Sequence, residues 1–108
     1  MELTEFIEKF ISFINTLKLK SEFEFYLFGS FLKNEHYNDV DILIIYSDFN
    51  ELKKVKDSIN KEFQYKLPHL TCLTKNEELE LNFIDKTNSR KIKLHTTKYK
   101  NNCYFVLK

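Results

Sequence analysis

Apolar residues recur at three- and four-residue steps from the start of the chain: Leu3, Phe6, Ile7, Phe10, Ile11, Ile14 and Leu17. That spacing predicts an amphipathic helix of about four turns with its Phe and Ile stripe in the core. The period then changes. "EFEFYLF" alternates as a strand does and stops at Gly29, and "DVDILIIY" becomes almost wholly apolar, the mark of a strand buried on both faces. Asp48 with Glu51 three residues on has the form of a capping box and opens a long helix carrying Leu52, Val55, Ile59 and Phe63 on one side. Pro68 closes the segment after that helix, and "HLTCL" is a short third strand. Thr74 with Glu77 is a second capping box, starting a helix that runs through Leu79, Leu81, Phe83 and Ile84. "KIKLH" and "CYFVL", separated by the polar "TTKYKNN", are the last two strands. The order α-β-α-β-α-β-α-β-β describes an α/β (α+β) sandwich, a mixed sheet flanked by helices. Residues 1–108 show no repeat, no low-complexity tract and no linker, and read as a single domain.

Composition narrows the classes. A chain of 108 residues with 43% apolar content and eleven Phe can bury a real core with little to spare. No run approaches the eighteen or so apolar residues of a membrane span. The opening "MELTEFIEKF" is acidic and amphipathic, unlike a signal peptide, and Cys72 and Cys103 have no metal-binding spacing. A cytoplasmic protein with reduced thiols is the expectation. The net charge of +1 hides an asymmetry: Lys86 to Lys108 holds seven basic residues and no acid, whereas the first 85 residues carry ten basic against sixteen acidic side chains. A basic end on an acidic body suits a polyanion, or is simply a solvated lysine-rich surface.

Candidate chemistry concentrates in "LFGSFLKNEHYNDVDILIIY". Gly29, the only glycine, lets the backbone turn sharply and lets a phosphate approach. Ser30 adds a hydroxyl, and the residues after it start a short helix. Asp39 and Asp41 stand two apart at the head of a strand, so both carboxylates project to one face and repel unless a cation lies between them. Magnesium takes such oxygen ligands together with substrate phosphates.

The hydrophobic-Gly-Ser turn, the spacer and the Asp-hydrophobic-Asp strand resemble the nucleotidyltransferases of the DNA polymerase beta superfamily, especially the minimal bacterial ones. Phe28, Gly29, Ser30, Asp39 and Asp41 fall on the motif positions. The resemblance implies a polymerase-beta-like fold and magnesium-dependent transfer of a nucleoside monophosphate from an NTP or dNTP to a hydroxyl. Gly29 and Ser30 would hold the triphosphate, with Lys33 as the nearest basic residue. Asp39 and Asp41 would bind one or two Mg²⁺ ions. The acceptor would be a nucleic-acid end or a protein hydroxyl such as tyrosine, and relatives of this size imply a partner protein or homo-oligomer, in toxin–antitoxin or phage-defence pairs.

The pattern departs from the family in three places. The spacer between Ser30 and Asp39 is only eight residues, Phe31 stands where a basic residue is common, and the strand expected to bring a third carboxylate, "PHLTCLT", has none. His69 occupies that place, with Thr71 next on the same face, as a metal ligand, a proton acceptor or an ordinary strand residue. Glu77 and Glu78 are explained by a helix start. Two other functions stay open. One is a catalytically inactive domain that binds nucleotide or a partner. The other is a nucleic-acid module in which Arg90, Lys91, Lys93, Lys98 and Lys100 contact phosphates and Tyr99 or Tyr104 stacks on a base. His36 lies in the spacer.

Overall fold

A computed structural model describes residues 3–33, 39–94 and, as backbone, 104–105. The first apolar stripe folds as α1 (Leu3–Thr16), burying Phe6, Ile7, Phe10, Ile11 and Ile14. The alternating segment is β1 (Phe23–Phe28), and Gly29 turns it into the short helix α2 (Ser30–Lys33). Then come β2 (Val40–Tyr46), α3 (Phe49–Glu62), β3 (Pro68–Thr74), α4 (Lys75–Leu81), α5 (Phe83–Thr87), β4 (Arg90–Lys93) and β5 (Tyr104–Phe105). The sheet has the order β3-β2-β1-β4-β5. Only β2 and β3 are parallel, joined through α3; the other pairs are antiparallel. The expected mixed sheet flanked by helices is present.

As its apolar run predicts, β2 is covered on both faces. Val40, Ile42 and Ile44 join Phe25, Leu27 and Ile92 beneath α1 and α3, while Leu43 and Ile45 join Tyr26 on the opposite side, against Phe83 and Ile84. The first face is dominated by aromatic rings. Phe63 lies 5.3 Å from Phe6, 5.7 Å from Phe10 and 5.5 Å from Phe13, centroid to centroid. Tilted and edge-on ring pairs at these distances add to the burial of their area.

Local signals were used in part as the sequence suggests. Thr74 and Glu77 form both halves of a capping box, at 2.8 and 3.2 Å. Asp48 caps α3 by accepting from the amides of Asn50 and Glu51. Glu51, however, does not complete a box. Its carboxylate accepts from the amides of Lys20 and Ser21, at 2.7 and 2.9 Å, tying the turn after α1 to α3. The helix expected to run from Thr74 through Ile84 is two helices. Asn82 takes a left-handed conformation (φ 53°), which ends α4, and the Glu78 side chain accepts from the Ile84 amide at 2.9 Å to start α5. Of the two predicted final strands, "KIKLH" forms β4 through Lys93, starting one residue earlier at Arg90, with His95 outside the described residues, and only the Tyr104–Phe105 portion of "CYFVL" lies within them. Among the described residues no helix is long and apolar enough to cross a membrane.

Because Phe63 is 2% exposed and touches three rings of α1, Phe63→Ala should cost about 3–5 kcal/mol of stability. Urea unfolding followed by circular dichroism measures it, and the loss should show as a lower midpoint at an unchanged denaturant slope.

Candidate functional site

The chain leaves β1 at Gly29, whose φ of +83° lies in the region that favours glycine. A second reason fixes this residue. In the β1–β2 register Asp41 is the partner of Phe28, the residue before Gly29. A Cβ on Gly29 would run into Asp41 Oδ2 and lie 3.1 Å from Asp41 Cγ. The space a side chain would need is therefore filled by the Asp41 carboxylate, and the lone glycine is the condition for that carboxylate to lie against the turn.

The next residues anchor the turn. Ser30 is exposed at the start of α2, and the Leu32 amide donates to the Gly29 carbonyl at 3.2 Å. Phe31 is 2% exposed. Its ring packs edge-on against Phe6 at 5.6 Å, and Lys66 Nζ lies over it, 4.5 Å from its centroid. Phe31 thus plugs the turn into the aromatic core. Lys33 ends α2, and its side chain is outside the described residues.

Asp39 lies one residue ahead of β2 and Asp41 is the second residue within it. On the parallel neighbour β3, the residue in register with Asp41 is His69. His69 Nε2 lies 3.3 Å from Asp39 Oδ2, both side chains being more than half exposed. One end of the sheet therefore collects Gly29, Asp39, Asp41 and His69 from the ends of three adjacent strands. Burial holds the Asp41 carboxyl above its ordinary pKa; His69 pulls it back down, and the nearby Asp39 charge pushes it further up. A cation between the two aspartates would relieve that repulsion. Among the described residues no group of three or more His, Cys, Asp and Glu has the arrangement to cage a metal ion. Two carboxylates suit an ion that keeps other positions for phosphate oxygens and water.

The remaining sequence candidates are dispersed. Thr71 follows His69 on the same face of β3, in register with Leu43. Glu77 and Glu78 are occupied by the helix starts of α4 and α5. Lys91 Nζ is 4.0 Å from Glu24, an acid of β1 away from the turn, and Lys93 is engaged elsewhere in the chain. Arg90, by contrast, begins β4 and lines a cavity together with Gly29, Asp85 and Asn88. Asp85 and Asn88 carried no sequence signal, because the break at Asn82 that creates α5 was not foreseen. His36, Lys98, Tyr99 and Lys100 lie outside the described residues, as does the side chain of Tyr104.

A protein-family model described as a nucleotidyltransferase domain matches residues 7–105. No curated protein and no solved structure matches the chain.

The raised Asp41 value gives a stability prediction. The charged carboxylate is disfavoured in the folded state, so its cost is full above the folded pKa and disappears below the ordinary value of 3.8. In chelator at pH 8, Asp41→Asn should therefore melt at a higher temperature than the wild type. The advantage should shrink as the pH is lowered, which differential scanning calorimetry across pH checks.

Proposed function

The chain belongs to the nucleotidyltransferase domain family, and on that footing we propose that it transfers a nucleoside monophosphate from a nucleoside triphosphate to a hydroxyl group. The observation that carries the proposal is Asp41 packed against Gly29 itself, with Asp39 two residues ahead of it in the chain and near enough for the two charges to act on each other. Gly29 and Ser30, with Lys33 as the nearest basic residue along the chain, receive the triphosphate. Asp39 and Asp41 hold Mg²⁺, as one ion or two. When bound, the metal neutralises polyphosphate charge and acidifies the acceptor hydroxyl.

In the reaction the acceptor oxygen attacks the α-phosphorus, and the bond to the β-phosphate oxygen breaks. Pyrophosphate leaves with the electron pair of that bond. The hydroxyl proton passes to His69, whose Nε2 stands 3.3 Å from Asp39 Oδ2. Residues 1–108 act as one transferase domain in this reading. The acceptor is a nucleic-acid end or a protein hydroxyl such as tyrosine. Template-independent transfer, a partner protein or second copy, and a place in a bacterial toxin–antitoxin or phage-defence pair complete the reading, on the strength of the resemblance of the motif.

A second reading, a catalytically inactive domain that binds nucleotide or a partner, is favoured by one observation: the β3 position in register with Asp41 is a histidine, not an acid. One assay separates the two. Labelled NTPs and dNTPs are incubated with Mg²⁺ or Mn²⁺, the protein and short oligonucleotides, with an Asp39→Ala, Asp41→Ala double variant in parallel. Label on oligonucleotide or protein with the wild type alone is the expected result. Nucleotide binding without transfer by the folded wild type would leave only the second reading.

A further inference from the structure

On the side of the Gly29 turn away from His69, a cavity of about 390 Å³ opens between α5, α2 and the start of β4. Leu32 and Ile84 give it apolar walls, and Asp85, Asn88 and Arg90 supply polar groups. That size and mixture are typical of a small-molecule site. Two of the polar groups carry opposite charge, yet neither Arg90 nor Asp85 makes an ion pair with any described residue. Thr87, also in the lining, is already committed, donating to the Phe83 carbonyl at 2.8 Å.

We propose that this cavity seats the sugar and phosphates of the donor nucleotide and selects ribonucleoside over deoxyribonucleoside triphosphates. The inference rests on the reaction proposed above and names the substrate class of that site. Arg90 presents a guanidinium fork, which matches phosphate oxygens in pairs. Asp85 is an acceptor only, so it repels phosphate and recognises donors such as the 2′- and 3′-hydroxyls of a ribose. The Asn88 amide offers a donor or an acceptor to the same hydroxyls. The two charges thus give the cavity a direction, with phosphates toward Arg90 and sugar toward Asp85. Gly29 lines this cavity and also lies against Asp41, so a nucleotide seated here has its phosphates beside the carboxylates. A deoxyribose would leave an acceptor without its donor, and unmade hydrogen bonds of that kind are what polar sites discriminate by.

The test is isothermal titration with ATP, dATP and inorganic tripolyphosphate in the presence of Mg²⁺. It uses the wild type, Asp85→Ala, Arg90→Ala, Arg90→Lys and the Asp39→Ala, Asp41→Ala double variant, each checked for folding by circular dichroism. Wild type should bind ATP roughly tenfold or more tightly than dATP. Asp85→Ala, which removes the acceptor together with the charge, should lose that preference without weakening tripolyphosphate binding. Arg90→Ala should weaken all three ligands by roughly tenfold or more, and Arg90→Lys should restore part of the loss. Equal wild-type affinity for ATP and dATP would overturn the sugar selection. Nucleotide binding that needs Asp39 and Asp41 but ignores Arg90 and Asp85 would overturn the cavity while the proposed reaction stands. A folded wild type that binds no nucleotide would overturn both.

Discussion

The close approach of the Asp41 side chain to the Cα of Gly29 is the constraint on which the site depends. Two strands that run antiparallel bring Phe28 and Asp41 into register, and the next residue of β1 must then turn with a positive φ under a carboxylate. Any side chain there would meet both a strained backbone and an occupied space. One glycine answers both demands, and the chain holds only one. The turn and the strand are therefore a single unit. The residue that shapes the turn also fixes where the carboxylate stands.

Around that unit the fold supplies rigidity from one face and chemistry at one end. Phe31 links the turn to the aromatic cluster of Phe6, Phe10 and Phe63, so that the position of Ser30 is set by core packing and not by a free loop. On the other flank, parallel pairing of β2 with β3 sets His69 beside Asp41 and within 3.3 Å of Asp39. Burial of the Asp41 carboxylate, with a smaller contribution from the Asp39 charge, is an energetic cost that His69 only partly offsets. On the proposed reading, that cost is the usual trade between stability and function.

Periodicity exposed the parts of this arrangement that follow from local pattern. The stripe of α1, the alternation of β1 and the apolar run of β2 each have a period or length that only one element satisfies, and the Gly-Ser and Asp-Val-Asp segments lie between them. The parts that were not legible depend on contacts distant in sequence. Glu51 has the spacing of a capping residue, but its carboxylate is drawn to the amides of Lys20 and Ser21, 31 and 30 residues away along the chain. Asn82 sits in a stretch of helical pattern and breaks it, because the Glu78 carboxylate satisfies the Ile84 amide. The role of Phe31 as a plug requires its contacts with Phe6 and Lys66. Asp85 and Asn88 join Gly29 at one cavity only once α5 has formed. His69 is an intermediate case. Its strand was readable, while its register with Asp41 came from the parallel pairing.

The central claim is that Asp39, Asp41 and the Gly29 turn form one nucleotide–metal site. Crystals grown with Mn²⁺ and a non-hydrolysable ATP analogue would test it most directly, by anomalous diffraction from the metal. The account predicts an anomalous peak coordinated by the Asp39 and Asp41 carboxylates, with the analogue's phosphates over Gly29 and Ser30. Nucleotide bound elsewhere on the surface, or a Mn²⁺ peak that avoids both carboxylates, would contradict it.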